Sequence, residues 1–556
     1  MTLFNMFLSY GLLRGDVPSE LSARIVSALA QHGYNADREA VTLLAGAKYP
    51  NTALEEVLDL IADDTLRITA ADVRPVIDST PSDPSSITEP ANKDSTRDNN
   101  AQDQSISDQK TEYLPSQSNS PNDVTPDLDS SPEQTTGASQ PPQKAHTSTP
   151  ETDQSVNSFD INGDITGRST GTGSYDDFVS VFRDRYERLS SHLRSRVNHR
   201  PTQAIGSMSG ETDTAIIGLV NDIRSTKNGH WIVELEDTTG TFPCLVMKDR
   251  SFADVVNELL FDECIAIEGT LSGDGEILFA NDIHFPDIPH NHTPNTADRH
   301  VQAALISDIH VGSQEFVYDA WERFAAWLHT DEADAIEYLL IAGDMVEGVG
   351  VYPDQDDELD IVDIYAQYET FAEHLKSVPG DIEILLIPGN HDAVRLAEPQ
   401  PGFDDELRSI MSAHDARISG NPSFVTIEGV QILMYHGVSL DEVIAELPSP
   451  KANYDEPHKA MYQLLKKRHI APQFGERTRL APEDSDYLII DEIPDVFHTG
   501  HVHKLGWGKY HDVLAVNSGC WQAQTAFQRS VNIDPDVGYA PIIDLDTLEM
   551  TVRKFL

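Results

Sequence analysis

Basic residues are scarce in this chain: 39 Lys and Arg stand against 92 Asp and Glu over 556 residues, a formal net charge of −53. Such a chain is a poor autonomous binder of DNA, whose phosphates need Lys and Arg. Lysine is the scarcer base, 14 against 25 arginines. Many carboxylates with few lysines, spread along parts that look folded, suit a halophilic cytoplasm, where dense surface charge maintains solubility. Cysteine is almost missing, and Cys244, Cys264 and Cys520 are scattered and odd in number. That excludes a disulfide framework and points to a reducing interior. No run of eighteen apolar residues occurs, so a membrane-spanning helix is not expected. The apolar opening MTLFNMFLSYGLL lacks a basic n-region and a small-residue cleavage site; it reads as helix, not as a signal peptide.

A chain of this length is expected to hold several domains. Residues 1–75 read as a small all-α interaction domain. Leu21, Ile25, Val26 and Leu29 mark one helix between Pro18 and Gly33, a second runs from Asp37 to Leu44, and Leu54, Val57, Leu58 and Ile61 mark a third. Residues 76–174 are read as a disordered acidic, Pro/Ser/Thr-rich linker. Eleven of the 32 prolines lie between Pro75 and Pro150, and Tyr113 is the only aromatic residue in that window, too little apolar surface to offset the entropy of ordering. Residues 175–200 form an amphipathic helix on Phe178, Phe182, Tyr186, Leu189, Leu193 and Val197, studded with Arg183, Arg185, Arg188, Arg194, Arg196 and Arg200. Packing on a neighbouring domain is the preferred reading, ahead of a partner or nucleic-acid contact.

Within 205–290, five apolar strands with a short helix near Phe252–Leu260 after the third match an OB-fold barrel. Such barrels bind single strands through aromatics on a basic face. This one is acidic and poor in aromatics, so a structural or subunit-docking role is preferred. Residues 298–556 alternate buried-looking strands with helices and are expected to form an α/β sandwich. Val301–Ile306, Tyr338–Ala342 and Ile382–Ile387 are assigned to one sheet; Val430–Tyr435, Val513–Val516 and Pro541–Leu545 are assigned to a second.

The chemistry lies directly after these strands. Asp308-Ile-His310, Gly343-Asp344, Gly389-Asn390-His391-Asp392, His436-Gly437 and Gly500-His501-Val502-His503 follow in series. One polar residue after a buried strand is ordinary; five clusters in order are not, and strand C-termini are where α/β sheets place their sites. Two divalent ions about 3.5–4 Å apart need one bridging carboxylate and terminal His, Asp and Asn ligands. Asp344 is the natural bridge, because Gly343 lets the chain turn tightly before it. Asp308, His310 and His503 complete one set, and Asn390, His436 and His501 the other. The mixed N/O donors favour Mn²⁺ foremost, or Fe or Zn²⁺, over Mg²⁺.

Together these five motifs resemble the signature of calcineurin-like metallophosphoesterases. Ser307–Ser313, Gly343–Pro353 and Asn517–Gln522 further resemble the small subunits of archaeal family D DNA polymerases. The resemblance covers the chain apart from the linker, and no ligand position departs from the pattern. It implies a cytoplasmic 3′–5′ exonuclease that proofreads for a separate large polymerase subunit and acts on the 3′ end of DNA. On that reading His391 stabilises the phosphorane-like charge or protonates the leaving 3′-oxygen, and Asp392 orients a neighbouring histidine. Two other readings stand beside it: a non-catalytic scaffold subunit, and a free-standing nuclease or phosphatase, which leaves the linker, helical domain and barrel unexplained.

Overall fold

The computed structural model describes residues 159–556 apart from 170, 209, 352–354, 413–414, 476 and 531–532, together with a few positions between 35 and 76. The chain divides into two units, Met1–Ser155 and Val156–Leu556. In the first, Ala40, Leu43 and Leu44 are helical, as are Ala53, Leu54 and Val57, and Val73, Arg74 and Val76. Ala40, Leu44, Ala53, Leu54, Val57, Val73 and Val76 are buried. The expected helix between Pro18 and Gly33 and the expected linker over 77–158 lie outside the described residues. The all-α expectation needs one correction: Asn35–Ala36 pairs in parallel with Arg67–Ile68. Two-residue strands are too short to show an alternating pattern.

The second unit contains two six-stranded sheets and a closed five-stranded barrel. The first sheet runs Arg417–Ile418, Glu383–Ile387, Ile336–Ala342, Gln302–Ile306, Tyr539–Asp544, Glu549–Lys554 in spatial order. Its first four strands are mutually parallel. The second runs Leu505–Tyr510, Val513–Ser518, Val496–Thr499, Val430–Met434, Ser423–Ile427, Phe159–Asn162. Ala303, Leu305, Leu340, Leu385 and Ile387 of the first sheet share one core with Val425, Ile432, Met434, Val496 and Val516 of the second. On the outer face of the first sheet, Ile306, Leu339, Ile341 and Leu386 meet Trp321 and Phe324 of helix Tyr318–Leu328 and Tyr368 and Phe371 of helix Ile364–Leu375. Leu433, Phe497, Val513 and Ala515 likewise meet helices Val438–Glu446 and Pro457–Lys467. These strands are apolar at successive positions because both faces are covered.

Two assignments change. The run Pro541–Leu545 contributes to the first sheet, not the second, where Tyr539–Asp544 lies antiparallel to Gln302–Ile306. A run buried on both faces does not reveal which sheet it joins. The end of the expected linker is also ordered. Phe159–Asn162 adds antiparallel to Ser423–Ile427, and Ile165 is 1% exposed. Asp164 accepts from the Gly420 N–H at 3.0 Å, and Thr166 Oγ1 from the Gly402 N–H at 2.8 Å. Ordering here comes from an edge strand borrowed from the sheet, which local composition does not reveal.

The barrel consists of Asp213–Ser225, Trp231–Asp237, Gly240–Val246, Cys264–Leu271 and Leu278–His284, and a 3₁₀ turn, Ala253–Glu258, occupies the place of the expected short helix. The arginine-rich helix spans Tyr175–Arg194 and opens with a capping box at Ser174 and Asp177. Leu189 and Leu193 pack on Ala215, Ile217, Cys264 and Ala266 of the barrel and on Ile489 of the sandwich. Arg185 is wholly buried, with Nε 2.6 Å from Asp486 of the sandwich, and its guanidinium also donates to the Asp262 carbonyl beside the barrel at 3.4 Å. The helix is a brace between the two bodies. All three cysteines are buried and unpaired, and among the described residues no helix is long and apolar enough to cross a membrane.

Candidate metal centre

Asp308, Asp344 and Asn390 follow the parallel strands Gln302–Ile306, Ile336–Ala342 and Glu383–Ile387; His436, His501 and His503 follow Val430–Met434 and Val496–Thr499. The two sheets thus deliver all of these residues to one end of the sandwich. The turns that do so are tight. Asp308, His310, Asp344, His501 and His503 have φ of 52°, 57°, 51°, 72° and 54°, a left-handed region that non-glycine residues seldom occupy and that concentrates at functional sites. Gly343 precedes the bridge candidate at φ 88°, and a Cβ there would stand 2.5 Å from His436 Nδ1. A Cβ on Gly389 would overlap the Asp344 carboxylate.

Two donor groups result. Asp308, His310 and His503 offer ligand atoms within 4.8 Å of one another, and so do Asp344, His436 and His501. The Nε2 atoms of His310 and His503 face each other at 3.1 Å. Asn390 Oδ1 lies 2.9 Å from His436 Nε2. Asp344 stands between the groups: Oδ2 is 3.2 Å from His436 Nε2 and 3.8 Å from His310 Nε2, while Oδ1 accepts the His391 backbone N–H at 2.8 Å. Asp308, His310, Asp344, Asp392, His436 and His503 are buried; Asn390, His391 and His501 are partly exposed and form the mouth. His436 Nδ1 donates to the Ala342 carbonyl at 2.9 Å, which leaves Nε2 as its ligand atom.

Charge is concentrated here. Burial raises the Asp344 carboxyl, but His436, His391 and His310 overcome it and hold the group well below the carboxylate range. Burial lowers the His436 imidazole, and Asp344 and Asp308 reverse that, to about 10. The donor set of carboxylates, imidazoles and an amide, with several Nε2 atoms converging and Asp344 between, fits a pair of divalent cations.

All of the residues singled out in the sequence lie at this end of the sandwich, with one change of role. Asp392 acts through the backbone of the loop that carries His391. It accepts the N–H of Gly389 at 2.8 Å and of Met345 at 3.4 Å and the Tyr368 hydroxyl at 2.9 Å. Burial and nearby Asp344 push its carboxyl up to about 7. It anchors the loop that presents Asn390 and His391, because Gly389 N–H is its nearest donor in sequence. Three neighbours escaped the sequence reading. Glu347 stands 2.8 Å from His310 Nδ1, Asp441 3.4 Å from His501 Nε2, and the Gln528 amide 2.8 Å from His503 Nδ1. Glu347 lies three residues after Asp344 on the same turn, which is a usable signal; nothing in the sequence marks the other two.

Residues 303–505 match the family of DNA polymerase alpha/epsilon B subunits. The "DNA polymerase II small subunit" of Halobacterium salinarum strain R1 is 61% identical over 97% of this chain and 100% of its own. Those of Archaeoglobus fulgidus and Methanocaldococcus jannaschii are 45% and 39% identical, over 67% and 69% of this chain and 76% and 66% of theirs. A solved structure of a novel archaeal phosphodiesterase covers 46% of this chain and 99% of its own at 13% identity, with a TM-score of 0.24, a likeness too slight to bear on fold or function. With near-complete coverage at 61% identity, this chain belongs to the family of archaeal DNA polymerase II small subunits.

Proposed function

We propose that this chain is a 3′–5′ exonuclease that hydrolyses DNA phosphodiester bonds at a two-metal centre, and that it proofreads while docked on a large polymerase subunit. The observation that carries this reading is the pair of donor groups meeting at Asp344, with His391 beside them. Bound divalent ions would supply Lewis acidity to the phosphate and acidify a water; Asp308, His310 and His503 would hold one and Asn390, His436 and His501 the other, with Asp344 shared.

The chain's own residues do the rest. His391 Nδ1 donates to the Glu347 carbonyl at 2.8 Å, which fixes the ring and turns Nε2 toward the substrate. As imidazolium, His391 keeps that bond and gives its Nε2 proton to the departing 3′-oxygen while hydroxide adds to phosphorus. The anchored Gly389–Asp392 turn holds the ring where charge develops. The −53 charge leaves most of the duplex to the large subunit.

The test is digestion of mismatched 3′ ends with Mn²⁺ in high salt, with and without the large subunit. Wild type should release mononucleotides, and Asp344→Asn should lose about 10³-fold, the scale of several kcal/mol of metal-borne stabilisation. Unchanged digestion by that variant would sink the site assignment. An inert wild type would favour the scaffold reading. Full activity with no association between subunits would favour a free-standing enzyme.

A further inference from the structure

We infer that Glu347 is a positioning residue that sets the rings of both His310 and His391, one through its side chain and the other through its backbone carbonyl. The inference rests on the metal reading above, which uses only the backbone carbonyl of Glu347, and adds a role for its side chain. Glu347 is 2% exposed and lies on the turn after Asp344. Its Oε2 is 2.8 Å from His310 Nδ1, and its carbonyl accepts from His391 Nδ1 at 2.8 Å. The Glu347 carboxylate thus stands against the Nδ1 side of the His310 ring as an ionic contact, outside hydrogen-bond geometry, while Nε2 faces His503 and Asp308, 3.1 and 3.9 Å away. A carboxylate behind a ligating imidazole fixes its tautomer and raises its basicity.

Three further bonds lock the glutamate. Gln522 Nε2 donates to Oε2 at 2.6 Å, and Gln355 Nε2 donates to the Glu347 carbonyl at 3.0 Å and to Oε1 at 3.3 Å. The carboxylate can be mistaken for a direct ligand, since Glu347, His310 and His391 cluster closely enough to hold an ion. Geometry argues otherwise. Glu347 meets the Nδ1 atom of each ring, 2.8 Å from His310 and 3.9 Å from His391, whereas the converging donors meet Nε2 of His310. It stands behind the rings. A single residue thus joins the metal group containing His310 to the proton donor, and the two rings touch edge to face at 4.8 Å between centroids.

The test compares full-length wild type, Glu347→Gln, Glu347→Asp and Glu347→Ala for Mn²⁺ affinity by calorimetry at fixed pH, for melting temperature without metal, and for kcat and KM on a mismatched 3′ end. Loss of such a partner typically costs 10–100-fold in metal affinity, so about 10-fold is expected for Gln and about 100-fold for Ala. Asp should recover part of the loss, and kcat should fall with KM little changed. Wild-type affinity in both Gln and Ala variants overturns the inference. So does a loss of affinity in the Ala variant that only follows a collapse of its melting temperature while the Gln variant binds normally. A wild type that binds Mn²⁺ without cutting DNA sinks the nuclease reading alone, because the affinity series still tests Glu347.

Discussion

Two clusters of buried charge, one between barrel and sandwich and one at the candidate metal centre, are built on opposite plans. Between barrel and sandwich, Arg185 pairs with Asp486, which also takes His469 Nε2 at 2.9 Å, and Lys467 pairs with Glu263 at 2.8 Å, both residues wholly shielded. Burial raises Asp486, but Arg185 and His469 more than reverse it. Burial pushes Lys467 down and Glu263 up, and their mutual attraction offsets part of that. Each cation there has its anion. At the candidate metal centre, Asp344 stands near both Asp308 and Asp392, and the imidazole nitrogens of His310 and His503 point at one another. Charge that closes on itself is scaffold; charge whose lone pairs converge is arranged for a ligand.

That contrast is breakable. The largest effect expected is at the centre, where Asp344→Asn should abolish both digestion and the rise in melting temperature that Mn²⁺ gives wild type, a stabilisation of about 2.7 kcal/mol at a hundredfold excess over Kd. Arg185→Met should do the reverse. It strands Asp486 in the interface at a cost of about 3–5 kcal/mol, read in a denaturant melt, yet the Mn²⁺ shift should persist. If Arg185→Met also loses the shift, the two regions are not independent. Asp164→Ala, which leaves the buried Gly420 N–H unmet, is expected to cost about 1–3 kcal/mol by the same melt. Smallest is a pH effect. His498 is buried on Val496–Thr499 beside Ser518, and burial lowers it to about 3. A histidine kept neutral in the fold favours the folded state above its unfolded value near 6.5. That contribution is lost as pH falls toward 3, because the unfolded chain takes the proton first. His498→Asn should flatten the stability curve between pH 6.5 and 3; an unchanged slope would show that other groups govern it.

The candidate site residues were legible as a cluster because each follows a buried apolar run, where an Asp, His or Asn has no packing reason to stand. The barrel was legible from strands punctuated by Lys227-Asn-Gly229 and Ser272-Gly-Asp-Gly275. The packing role of the Tyr175–Arg194 helix came from its periodicity, though nothing local said that Arg185, of its several arginines, is the wholly buried one. Pairing was the illegible part. Phe159-Asp-Ile-Asn162 is four residues amid polar sequence, and its strand exists only because Ser423–Ile427 offers an edge. Pro541–Leu545 looked like any buried strand until its neighbour was known. The role of Asp392 depended on which partner lay across the turn, a matter of a few ångströms that spacing does not encode.

That short strand has a consequence for handling the protein. Ser423–Ile427 bonds Val430–Met434 on one side and Phe159–Asn162 on the other, so a chain begun at Tyr175 would leave a row of backbone donors and acceptors open to solvent. An uncovered edge of this kind is a template for another molecule's strand. Cutting at the boundary suggested by composition would therefore make a fragment that sticks to itself, whereas starting a few residues before Phe159 keeps Ser423–Ile427 paired and leaves only a four-residue strand at the edge.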